Sequence, residues 1–216
     1  MSESEKHMNT ANITTSVRSG VHPSLRWRVA DITVTVVIAV ASGVVFWAVD
    51  LIYQPVASVF QVVPGLSSLL DGLYYFAGPL AILIVRKPGA ALFAELIAAF
   101  VEAMMGSQWG GMGTLIPGLV QGLGAELAFL FFAYRVWNIG TAMLSGALAG
   151  LGGVLISWPL FHAGAAASYM VVTFICSIIS GMILSGALMW YLCRAIAATG
   201  AIERFGAGRA MRGQNA

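Results

Sequence analysis

Six apolar runs, each about as long as a bilayer is thick, follow one another along this chain with short polar breaks between them. They fall at 29–53, 66–86, 88–106, 112–134, 139–160 and 167–193. A hydrocarbon core of about 30 Å takes about 20 residues of helix. In lipid every backbone N–H and C=O has to be bonded within the structure, so runs of this length are helices. The breaks carry turn chemistry: Gln54-Pro55, Pro64-Gly65, Arg86-Lys87-Pro88, the glycine-rich stretch Gly106 to Gly113, Tyr134 to Asn138, and Trp158 to Gly164. Only 9% of the residues are charged, against about 25% in a soluble domain. The fold class predicted is therefore an all-α integral membrane protein with six transmembrane helices. Residues 1–25 are polar and lack the apolar core of a secretory signal; they are expected to form a flexible cytoplasmic tail. Residues 26–194 then form the transmembrane domain and residues 195–216 a cytoplasmic C-terminal tail.

The basic residues orient the bundle. Lys6, Arg18, Arg26 and Arg28 precede the first run, Arg86 and Lys87 form the second loop, Arg135 lies in the fourth, and Arg194, Arg204, Arg209 and Arg212 follow the last run. With six spans all eleven fall on one side. The positive-inside rule makes that side the cytoplasm and puts both termini there. The opposite ends carry Trp47, Asp50, Tyr53, Asp71, Tyr74, Tyr75, Gln108, Trp109, Trp158, His162 and Tyr169. An interfacial aromatic belt accounts for any one of these rings; a binding site accounts better for the set.

Three carboxylates, Glu95, Glu102 and Glu126, lie inside apolar runs, where a charge costs several kcal/mol unless it meets a partner, a cavity or water. Helix rise sorts them by depth. Counted from Pro88 and Arg135, Glu102 and Gln121 share a level roughly 21 Å above the inner boundary, and Glu95 and Glu126 share one at roughly 10–13 Å. Tyr74 lies just below the upper level. The upper layer thus offers a carboxylate, an amide and ring faces, which suits a small, flat, nitrogen-rich or cationic solute. The candidate substrate-binding set is Glu102, Gln121, Trp47, Tyr74, Trp109 and Trp158. Hydration at the outer interface is the plainer alternative for Glu102. Glu95 and Glu126 are expected to serve structure or coupling.

Small residues at four-residue spacing mark helix packing: Gly118 with Gly122, Ala142 with Gly146 and Gly150, Ser177 with Gly181 and Ser185. The pair Ala39 and Gly43 on the first helix could instead dock another membrane protein. Cys176 and Cys193 lie roughly 25 Å apart along one helix, too far to bridge. The chain lacks a phosphate-binding loop and the H-E-x-x-H and G-x-S-x-G motifs, and its histidines fall in tails or a loop. No enzymatic role, cofactor, metal site or nucleic-acid partner is expected. The remote enzymatic alternative is an intramembrane active site built on Glu95 and Glu126 as paired carboxylates.

The block Arg86-Lys-Pro-Gly-Ala-Ala-Leu-Phe-Ala-Glu95, continuing through Ala98-Ala-Phe-Val-Glu102 to Gly106, resembles the YkoE family, as does Gln121-Gly-Leu-Gly-Ala-Glu126. The similarity runs from the first helix to the tail at Ala198–Gly208. The family comprises S components, the substrate-binding subunits of energy-coupling-factor vitamin transporters, and is associated with thiamin and its hydroxymethylpyrimidine precursor. The resemblance implies a six-helix bundle in the plasma membrane of a prokaryote that captures its vitamin from outside. It also implies partners, a transmembrane coupling protein and cytoplasmic ATPases, with small first-helix residues (here Ala39 and Gly43) at the coupling contact. An S component for another vitamin, or a solitary carrier, is the alternative within transport.

Overall fold

The structure is a computed structural model that describes residues 25–60 and 63–215. Most of the proposed N-terminal tail lies outside the described residues. Among these, every regular element is helical: α1 (Val29–Val59), a 3-10 segment (Leu66–Tyr74), α2 (Ala77–Val85), α3 (Ala90–Met105), a short 3-10 turn (Gly111–Thr114), α4 (Leu115–Phe131), α5 (Ile139–Phe161), α6 (Ala167–Ser180), a π segment (Gly181–Ala187), α7 (Leu188–Ala198) and α8 (Gly206–Asn215). Four stretches are long and apolar enough to cross a membrane: Val29–Val59, Leu66–Val85, Ile139–Phe161 and Ala167–Ala198. The 17-residue α4 is a shorter apolar helix, and the 16-residue α3 carries Glu95 and Glu102.

The start of α1 is fixed by charge. The Asp31 carboxylate accepts the Arg28 backbone N–H at 3.0 Å and pairs with the Arg28 guanidinium at 3.0 Å, placing an acid in the first turn, where the helix dipole favours it. Its 31 residues give a length of about 46 Å. The helix therefore runs past the predicted end at residue 53, through Pro55.

The second predicted span, 66–86, is not one helix. It enters as the 3-10 segment, breaks at Tyr75 and Phe76, and resumes as α2. Pro79 explains where the α-helix restarts: in a first turn its missing N–H leaves no bond unmade. Two serines pin the 3-10 segment to the last span. The Ser180 hydroxyl donates to Leu69 O at 2.6 Å and accepts from Gly72 N at 3.0 Å, and the Ser185 hydroxyl donates to Gly72 O at 2.7 Å. The α5 start is capped by Asn138, whose Oδ1 accepts from Thr141 N at 2.9 Å.

Small residues set the helix spacing, as the sequence pattern predicts for α4, α5 and the last span. A methyl placed on Gly118 would strike the Ala99 side chain, and one on Gly150 would strike Ser177 O at 2.6 Å. The stripe on α1, proposed above as a docking face, packs within the chain in the same way. Ala39 is fully buried against Ala81 and Ala94, and the space beside Gly43 is filled by Ala98 O and Val101 of α3. Small side chains let the nearest backbone approach, and the nearest backbone belongs to this chain. At the opposite end from the α3–α4 loop, Ile202, Phe205 and Ala207 of the predicted C-terminal tail are buried, with Gly206 against Arg86.

Candidate substrate-binding cleft

A cleft opens at the end of the bundle that carries the α3–α4 loop and the α5–α6 turn. Its non-protein space, open solvent at the mouth included, is about 860 Å³. Phe46 and Tyr53 come from α1, Asp71 and Tyr74 from the 3-10 segment, Glu102 from α3, Gln121 from α4, Trp158 and Phe161 from α5, and Tyr169 and Thr173 from α6; Trp109 comes from the loop above.

Five of the six residues predicted to bind substrate line this cleft: Glu102, Gln121, Tyr74, Trp109 and Trp158. Trp47 does not. The buried face of α1 runs through Phe46, Val49, Asp50 and Tyr53, and Trp47 stands about 100° round the helix from Phe46. Phe46 lines the cleft at this level of α1 instead.

Glu102 is only 2% exposed, and the loop holds its carboxylate. Ser107 Oγ donates to Glu102 Oε1 at 2.9 Å while accepting from Trp109 N at 3.1 Å and Thr114 Oγ1 at 3.2 Å. The Asp50 carboxyl is an interacting neighbour of Glu102. Asp50 accepts from Tyr74 OH at 2.8 Å and from Gln108 Nε2 at 3.0 Å. Tyr53, Tyr74 and Trp109 form a ring triangle with centroids 5.3–6.2 Å apart, in edge-to-face arrangement. A carboxylate fixed by the loop, an amide and a set of ring faces thus meet in one space.

Asp71, Tyr53, Tyr75 and Thr173, absent from the six candidate substrate-binding residues, also line the cleft. An acid inside the apolar run 66–86 is the signal that marks Asp71. Counting depth along a continuous α-helix placed Tyr74 without revealing that the 3-10 segment turns Asp71 inward beside it.

Glu95 and Glu126 lie outside the cleft, and each caps a helix. Glu126 accepts from Gly89 N at 2.6 Å, Ala91 N at 2.9 Å and Tyr134 OH at 2.8 Å, closing the α3 N-terminus. Glu95 accepts from Gly78 N at 2.6 Å at the α2 N-terminus. They do not share one layer as the depth count placed them: Glu126 bonds the first residues of α3, and Glu95 sits about 7 Å further along it. Each is bound to a different helix start. Cys176 and Cys193 are both buried and free.

Among the described residues, Arg28, Arg86, Lys87 and Arg204 meet at the other end. Arg28 Nη2 donates to Arg204 O at 3.1 Å, Lys87 Nζ lies 3.9 Å from Asp31, and the Arg86 guanidinium sits 5.0 Å from the Trp137 ring centroid. Burial pushes the Lys87 ammonium below its ordinary pKa while Asp31 pulls it up.

Among the described residues, an all-helical bundle with a polar cleft under one set of loops and a cluster of cations at the far end is the architecture of a membrane transport subunit. A solved structure described as "Crystal structure of an S-component of ECF transporter" superposes with a TM-score of 0.82 at 28% identity, covering 88% of this chain and 95% of the other. The family described as "ABC-type cobalt transport system, permease component" matches residues 30–152. The "Putative HMP/thiamine permease protein YkoE" of Bacillus subtilis (strain 168) is 31% identical over 191 residues, 86% of this chain and 92% of the relative. The chain belongs to the YkoE family of energy-coupling-factor S components.

Proposed function

We propose that the chain captures thiamin or its hydroxymethylpyrimidine precursor from outside the cell, in a cleft in the outer half of the membrane. A coupling protein and partner ATPases then power its import. The observation that carries this reading is the meeting of Glu102 and Gln121 with the Tyr53–Tyr74–Trp109 rings in one cleft. An aminopyrimidine edge offers an N–H donor beside a ring-nitrogen acceptor. A carboxylate takes the first, an amide serves both, and ring faces cover the heterocycle. The printed name of the Bacillus relative points the same way. Six spans with both termini in the cytoplasm fit the convergence of Arg28, Arg86, Lys87 and Arg204 at the end opposite the cleft.

Calorimetry on the purified chain is the test. Thiamin or hydroxymethylpyrimidine should bind, and Glu102→Gln should weaken binding at least about tenfold, the scale of one charge-assisted hydrogen bond. Full affinity in that variant would remove Glu102 from the site, and no binding of either pyrimidine would refute the cargo. Uptake in a host lacking the coupling protein and ATPases would favour a solitary carrier.

A further inference from the structure

Two guanidinium groups converge on one oxygen at the end of the bundle opposite the cleft. Arg28 Nη2 donates to Arg204 O at 3.1 Å, and Arg209 Nη1 donates to the same carbonyl. Arg28 also bonds Asp31 through Nε and Nη2. Its Nη1, like Nε and Nη2 of Arg209, makes no hydrogen bond among the described residues. Lys87 adds a third charge: burial lowers its pKa most, and the nearby Arg28 and Arg209 charges lower it further against the pull of Asp31. Asp31 already serves both Arg28 and Lys87, and Glu203, on the turn before α8, makes contacts of its own. Like charges crowded this closely repel, and an anion between them removes the cost. Guanidinium forks match the oxygens of a phosphate.

The same corner is continuous with apolar surface. Arg28 precedes α1, and the exposed side of that helix runs on through Val29, Ile32 and Val40. Ile32 is one turn along from Arg28, on the same side. Trp27 beside it is half-buried, its indole N–H donating to Pro88 O at 2.9 Å and its ring edge-on to Phe93 at 6.1 Å. Indoles favour the level of the lipid headgroups. Cations at that level, with an uncovered apolar helix face leading away from them, match the two parts of an anionic phospholipid.

We propose that Arg28 and Arg209 clamp the phosphate of an anionic phospholipid, with Lys87 adding to the field and an acyl chain lying on Val29, Ile32 and Val40 of α1. The two arms of the clamp come from opposite ends of the chain, so the lipid ties the first helix to α8. A free phosphate shares the headgroup's chemistry and lacks the acyl chain, and that difference separates the two sources.

The test is native mass spectrometry of the full chain released from detergent micelles, titrated with phosphatidylglycerol or with phosphatidylcholine of the same acyl chains. Wild-type protein should bind phosphatidylglycerol about tenfold more tightly, since each basic residue at headgroup level contributes about a fivefold preference. This arm needs no variant that has to fold. Arg28→Gln and Arg209→Gln should each lower phosphatidylglycerol affinity about fivefold and leave phosphatidylcholine unchanged. Arg135→Gln, at an exposed position of the α4–α5 loop, should alter neither. Equal affinity of the wild-type chain for the two lipids would overturn the inference. So would an equal loss in Arg135→Gln, which would make the preference a property of the whole charged surface. In thermal unfolding, phosphatidylglycerol should raise Tm and inorganic phosphate at millimolar concentration should not; an equal rise with inorganic phosphate would overturn the lipid as the ligand.

Discussion

Replacing Glu126 by alanine should destabilise the protein without emptying its cleft. The carboxylate accepts three hydrogen bonds, from Gly89 N, Ala91 N and Tyr134 OH, at 2.6–2.9 Å. Ala91 is fully buried, so its N–H loses its partner with no water to replace it, at about 1–3 kcal/mol. Loss of a helix cap costs about 1 kcal/mol more. Tyr134 is only half-buried and can turn to water, so its share is about 1 kcal/mol. The total expected is about 3–5 kcal/mol, with Glu126→Gln near half of that because one oxygen still accepts. Equilibrium unfolding in mixed micelles, followed by tryptophan fluorescence, reads this directly. Adding Tyr134→Phe to Glu126→Ala should cost less than the sum of the two single changes, since both remove the same bond. A loss below about 0.5 kcal/mol, or weaker ligand binding at unchanged stability, would refute the capping account.

Two glycines test the packing. A methyl on Gly72 would lie 2.6 Å from both Ser180 O and Ser180 Oγ, so Gly72→Ala should push the 3-10 segment off α6 and weaken thiamin binding about tenfold or more in calorimetry; unchanged affinity would show that this segment does not position the site. Gly43→Leu should lower the stability of the isolated chain by about 2–3 kcal/mol, because Ala98 O stands 2.6 Å from the added carbon. A variant that unfolds normally and fails only to assemble with a coupling protein would restore Gly43 to a docking face.

Much of this architecture is legible in the sequence, because a bilayer imposes lengths and a charge asymmetry that leave plain marks. Depth counting set Glu102 and Gln121 at one level because α3 and α4 are regular helices of constant rise. It failed where regularity fails. The run 66–86 is apolar throughout its second half, and hydropathy does not distinguish a 3-10 segment followed by a fresh helix from one continuous span; the rotation of Asp71 into the cleft was hidden there. Trp47 and Phe46 are neighbours of similar chemistry, and only the packing of α1 on α3 decides which one turns inward. Glu95 and Glu126 announced themselves as costly. Their partners, however, are backbone N–H groups at helix starts, and every residue type offers one of those. Small-residue spacing on α1 marked a close approach correctly but could not say whose backbone approaches.

The π segment sets a phase. Ser180 and Ser185 are five residues apart, which in an α-helix would point them about 140° away from each other. Both nevertheless hold the same 3-10 segment, because a turn bonded i to i+5 brings the fifth residue back round. The last span is therefore two helices wound out of step by one residue. The first presents Thr173 and Ser177 inward, and the second presents Met189 and Cys193 to the core at the other end. Deleting a single residue between Gly181 and Ala187 would let the span wind as an unbroken α-helix about 1.5 Å shorter, with Ser180 and Ser185 four residues apart and Met189 and Cys193 still facing the core. In this span one residue too many is absorbed by a wider turn, and both ends of the bundle stay correctly faced because that turn takes it up.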